Sequence, residues 1–158
     1  MTYRTFNEHC SAADFRFAII VARFNPEITD GLLNGAKEAL INAGAGEGSM
    51  SIYYAPGSFE LPFMAQQVAA TGSFDAIICL GAVLKGETPH FDYVAAAAQQ
   101  GILEVSLKYN LPVMFGVITA LTMEQAIVRS SDGSTNRGAE AALACLEVLA
   151  TIKEMKQR

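Results

Sequence analysis

The run Ala76-Ile77-Ile78-Cys79-Leu80-Gly81-Ala82-Val83 contains no charged or polar side chain apart from a thiol. It is far too short to span a membrane, and its uniform apolarity suits a strand covered on both faces, as in the centre of a parallel sheet. Such a strand dictates what surrounds it. Helices must cover both faces, so strands and helices should alternate along the chain.

The rest of the sequence reads that way. Phe15 to Ala22 is a second buried strand, ending at Arg23-Phe24-Asn25-Pro26. There Asn25 is expected to cap a helix and Pro26 to take its first position. Ile28, Leu32, Ala36 and Leu40 recur at helical spacing, with Gly44 as the stop. Ser51 to Ala55 is a short strand followed by the turn Pro56-Gly57-Ser58 and a helix to about Ala70, where Pro62 fits only near the first turn. The central run leads through Lys85-Gly86-Glu87 into a helix expected to be capped by Thr88, with Pro89 first, running to about Tyr109. Pro112 to Ile118 is a further buried strand. Thr122-Met123-Glu124-Gln125 has capping-box spacing, and after the polar loop Ser130 to Thr135, Asn136 caps a last helix with the stripe Ala139, Leu143, Leu146 and Ala150. The expected fold is α/β: a flavodoxin-like three-layer sandwich, its four-stranded parallel sheet flanked by helices. One domain spans residues 1–158, with residues 1–13 as a polar N-terminal arm.

Composition narrows the partners. The chain has 158 residues, 51% of them hydrophobic, 17% charged, with a net charge of -5. That disfavours both disorder and an electrostatic hold on nucleic acid. With no apolar run long enough for a membrane span, the excess hydrophobic surface points to self-association. Cys10, Cys79 and Cys145 are odd in number and lack metal-ligand spacing, so no metal is expected and a reducing cytoplasm fits best. No basic segment followed by an apolar core marks a signal peptide at the N-terminus.

Parallel α/β sheets place their sites beyond the carboxyl ends of the strands. That rule gathers Phe24, the segment Ser58-Phe59-Glu60, the stretch Ala82 to His90 and Phe115 near one edge. Gly86-Glu87-Thr88-Pro89-His90 joins a glycine turn to a helix start, which presents free N–H groups to an anion such as a phosphate. An ordinary capped helix accounts for the same pentapeptide. His90, in the first helical turn, is a candidate general acid and base, since imidazole exchanges protons near neutral pH; a surface histidine is the alternative. His9, in the arm, carries no role. Phe24 can stack on a flat ring or belong to the core, and Phe115 is equally ambiguous within its strand. Arg129 at a helix end and Glu60 in a first turn suit the helix dipole, but they also suit a phosphate and a set of substrate hydroxyls respectively.

Taken together, Ala22 to Asn25, Ala55 to Pro62, Leu80 to Val94, Pro112 to Thr119, Glu124-Gln125-Ala126 with Arg129, and Asn136 to Ala142 closely resemble the lumazine synthase family. They stand in order, with the family's spacing, from about Phe15 to Ile152. The resemblance implies a cofactor-free reaction in riboflavin biosynthesis. A ribitylamino-pyrimidine condenses with a four-carbon ketose phosphate to give 6,7-dimethyl-8-ribityllumazine, phosphate and water. It also implies roles by position: Phe24 stacking on the pyrimidine, Ser58, Phe59 and Glu60 on the ring and ribityl chain, and Ala82, Val83 and Leu84 on the pyrimidine edge. Glu87 and Thr88 would contact the ketose phosphate, Arg129 would pair with its phosphate, and His90 would transfer protons. Phe115 would come from a neighbouring subunit. Among the departures, Arg137 stands where lysine is usual, Lys85 where arginine is common and Ser58 where alanine is usual. The resemblance further implies a homopentamer, or twelve pentamers in an icosahedral shell with riboflavin synthase as its cargo. Two other classes use the same residues: a flavin- or phosphate-binding module without catalysis, and an inactive shell subunit.

Overall fold

In a computed structural model that describes residues 11–157, four strands alternate with five helices. The expectations for His9, Cys10 and most of the arm lie outside that range. Strand β1 is Phe17–Ala22, followed by α1 (Pro26–Asn42), β2 (Met50–Ala55), α2 (Leu61–Ala70), β3 (Ala76–Leu84), α3 (His90–Tyr109), β4 (Val113–Ala120), α4 (Met123–Ser130) and α5 (Arg137–Lys156). The sheet order is β2-β1-β3-β4 and every pairing is parallel. This is the flavodoxin-like order, with the chain reversing its direction of travel between β1 and β3.

Alternation along the two central strands divides the core. Phe17, Ile19 and Val21 of β1, with Ile78 and Leu80 of β3, pack under α1, α4 and α5. Ala18, Ile20, Ile77 and Cys79 face the opposite way, against α2 and α3. β1 is buried along its whole length and β3 for all but its last residue, as the apolar run requires. Ala12, at the end of the arm, is buried in the first of these layers, and its N–H donates to the Ala43 carbonyl at 2.9 Å. No helix among the described residues is long and apolar enough to cross a membrane.

Local chemistry sets most of the helix ends. Gly44 lies at φ +102°, its N–H donating to Ile41 O while the Ala45 N–H reaches Leu40 O. That is the paired-bond helix stop for which glycine is favoured. Thr122 Oγ1 accepts from the Gln125 N–H, and Gln125 Oε1 reaches back to the Leu121 N–H, one residue before the cap. Two expected caps are not made. Asn25 sits in the left-handed region (φ 59°, ψ 60°) and its side chain donates to Ala82 O at 3.3 Å, tying the loop after β1 to the end of β3. Thr88 makes no side-chain cap either: Pro89 is the residue before the helix and His90 the first within it.

α1 meets α5 and the end of α4 through backbone. A Cβ on Gly138 would lie 2.0 Å from the Leu32 carbonyl oxygen, and one on Gly31 2.3 Å from that of Ser130. Neither neighbour can turn aside, because each is main chain. Gly138→Ala is therefore expected to destabilise the fold by roughly 3 kcal/mol or more. Urea unfolding of the variant checks this, and a loss under about 1 kcal/mol would show that the two helices part without strain.

Candidate functional site

Loops at the carboxyl ends of β1, β2 and β3 enclose a pocket of about 600 Å³ directly over the point where the strand order reverses. Its walls contain Phe24, Ser58, Phe59, Glu60, Ala82, Val83, Leu84, Thr88 and His90, nine of the expected site residues. Hydrogen bonds past the ends of the strands hold the rim. The Arg23 N–H donates to Ala55 O at 2.8 Å, the Phe24 N–H to Pro56 O at 3.1 Å, and the Asn25 amide crosses to Ala82. Phe24 is thereby presented outward, with 71% of its surface exposed, and Phe59 stands 60% exposed across the same opening. Two aromatic faces held by backbone over a cavity suit a flat heterocycle.

The polar groups are few. Glu60 Oε2 accepts from the Gly57 N–H at 3.0 Å, which fixes the carboxylate beside the turn and leaves its second oxygen for another donor. His90 opens α3 from the exposed side of the pocket. Among these wall residues, Phe91, Tyr93 and Val94 were not anticipated. For Tyr93 and Val94 helical spacing gave the signal, since residues three and four beyond His90 share its face; Phe91, the residue next to it, has no such signal. Asn25 was anticipated as a cap, not as a wall of the pocket. Glu87 is exposed on the same loop but is not among the lining residues.

Phe115, Arg129 and Arg137 lie elsewhere. They line a second cleft of about 400 Å³ along the outer edge of β4, with Met114, Glu140 and Ala144. Both cations are engaged within the chain: Arg129 donates to Gln125 O at 2.8 Å and Arg137 pairs with Glu140. One chain thus carries the expected residues as two separate groups.

The thiols among the described residues, Cys79 and Cys145, take no part in either cleft. Burial pushes Cys79 and Cys145 up to about 12, so both stay protonated and unreactive near neutral pH. No cluster among the described residues has the composition of a metal site.

Fold and pocket define the class: a flavodoxin-like α/β protein with an aromatic-rimmed ligand pocket at the switch point of its sheet. The model of the 6,7-dimethyl-8-ribityllumazine synthase family matches residues 14–153. A curated protein from Desulfatibacillum aliphaticivorans, itself named 6,7-dimethyl-8-ribityllumazine synthase, is 47% identical over 146 residues, covering 92% of this chain and 94% of that protein. The chain belongs to the 6,7-dimethyl-8-ribityllumazine synthase family, and so to the transferases of riboflavin biosynthesis. The reading as a non-catalytic flavin-binding module gains nothing from these likenesses.

One wall residue is out of balance. The Ser58 hydroxyl is buried with no hydrogen-bond partner among the described residues and rests against Gly81, where a Cβ would come within 2.5 Å of it. An unmet buried hydroxyl opposes folding, so Ser58→Ala is expected to leave the melting temperature unchanged or raise it. Calorimetry decides the matter: a loss above about 1 kcal/mol would reveal a partner for the hydroxyl in the folded protein.

Proposed function

We propose that this chain condenses 5-amino-6-(D-ribitylamino)uracil with 3,4-dihydroxy-2-butanone 4-phosphate, forming 6,7-dimethyl-8-ribityllumazine with release of phosphate and water. The observation that carries the proposal is the meeting of Phe24, Phe59, Glu60 and His90 in one pocket at the switch point of the sheet. Phe24 stacks on the pyrimidine, Ser58, Phe59 and Glu60 hold the ring and ribityl chain, and the backbone of Ala82, Val83 and Leu84 borders the ring's edge. The substrate amine attacks the ketone, water leaves to give an imine, phosphate is eliminated, and ring closure expels a second water. Holding both reactants together removes the entropic cost of their encounter. His90 passes the protons, with Glu87 and Thr88 beside the ketose phosphate.

The phosphate needs cations, and the two expected at the substrate, Arg129 and Arg137, lie with Phe115 in the other cleft. This separation supports a site completed between copies, the cleft of one chain closing on the pocket of the next. Apolar side chains left exposed on α3, Tyr93, Leu103 and Leu107 among them, support the same reading. The assembly is a homopentamer, and twelve pentamers close into an icosahedral shell with riboflavin synthase as cargo. Buried, unpaired Cys79 and Cys145 suit a cytoplasmic enzyme.

Mixing both substrates with purified protein should release phosphate and develop lumazine absorbance, and a preparation that binds both without product would refute the assignment. His90→Ala is expected to lower turnover about 100-fold while both Michaelis constants stay within a few-fold; unchanged turnover removes the imidazole from the reaction. Arg129→Ala should raise the Michaelis constant for the ketose phosphate about tenfold and that for the pyrimidine little. Equal effects on the two would argue against direct phosphate pairing.

A further inference from the structure

The two cations of the β4 cleft stand on different helices. Arg129 is next to the last residue of α4 and Arg137 is the first of α5. Residues 131–135 between them are all exposed, and Gly133 among them adopts φ +116°. A loop of this kind does not by itself fix the separation of the helix ends it joins.

Asn136 does. It is 2% exposed, and its Oδ1 accepts from the Ala139 N–H at 3.0 Å in the first turn of α5. Its Nδ2 donates to Ser130 O at 3.0 Å and Ser131 O at 3.2 Å, at the end of α4, and to Gly31 O of α1 at 3.0 Å. One carboxamide therefore bridges both cation-bearing helix ends and anchors them to a third helix. Capping alone would need an acceptor, which serine, threonine or aspartate also provides. The donor side of the group has a separate purpose. α1 is shaped to admit it, since a Cβ on Gly35 would fall 2.2 Å from Oδ1.

We infer that Asn136 is a positioning residue for the phosphate subsite, setting the spacing of Arg129 and Arg137 without touching the anion. The inference rests on the reading of those two arginines as phosphate partners. Without the carboxamide the end of α4 loses its bonds to the start of α5, leaving the Thr135 hydroxyl's bond to Val128 O at 2.9 Å, and the two guanidinium groups shift relative to each other so that a phosphate meets one where it met two. The pyrimidine pocket, built on other loops, is unaffected.

The test uses the full-length enzyme, with its folded state verified by circular dichroism well below the melting temperature. Asn136→Ser keeps a cap and removes the donor. It should raise both the Michaelis constant for the ketose phosphate and the inhibition constant of inorganic phosphate about tenfold, with the pyrimidine constant changed less than about twofold. A folded variant that melts earlier but keeps all three constants overturns the inference and leaves Asn136 a structural cap. Should Asn136→Ser not fold, Gly35→Ala presses on the carboxamide without removing it; the same rise in the two phosphate-linked constants supports the inference, and three unchanged constants overturn it. Arg129→Ala in parallel separates the two claims. If it leaves phosphate inhibition unchanged, the phosphate reading itself fails; if it weakens inhibition while the asparagine variant does not, only the positioning role falls.

Discussion

Two adjacent strands buried on both faces govern the rest of this molecule. β1 and β3 have no polar side to offer, so the polar groups of the pocket, Glu60 and His90 among them, stand on segments beyond the carboxyl ends of the strands. Because the chain turns away in opposite directions from these two strands, the loops diverge and leave a cavity. Asn25 spans that divergence with its bond to Ala82, and it adopts a left-handed backbone to do so. The pocket is thus a direct result of parallel pairing at the centre of the sheet.

The architecture could be read from the chain because it depends on periodicity and local chemistry. A fully apolar run, helical stripes, Gly44 as a stop and Thr122 and Asn136 as caps are features whose meaning does not depend on distant residues. Asn25 shows where that reading ends. An asparagine before a proline at a helix start serves equally as a cap or as a left-handed residue with a free amide, and the choice was made by Ala82, far along the chain. Asn136 is a similar case: its cap was legible, but its bond to Gly31 joins residues 105 apart.

The site was legible to the same degree. Residues on the loops after β1, β2 and β3 converge as the strand-end rule requires. The same rule placed Phe115 with them, but Phe115 is the third residue of β4, not beyond its carboxyl end, and lies at the far edge of the sheet with Arg129 and Arg137. Tyr93 and Val94 were recoverable from the helical face of His90, though Phe91 beside it was not, and Glu87, exposed on its loop, shows that adjacency in a motif does not ensure adjacency in a cavity.

The glycine seam between α1 and α5 bears on how such a protein tolerates change. Helices spaced by side chains can drift apart or together as those side chains vary, whereas here main chain rests on main chain where Gly138 of α5 meets Leu32 of α1, as it does where Gly31 of α1 meets Ser130 of α4. The gap is fixed by atoms that every residue type shares. Substitutions at Arg137 or Glu140 on the outer surface of α5 can therefore alter charge and shape along the cleft without re-spacing the frame beneath them, which makes this edge of the sheet a ready place to redesign ligand preference.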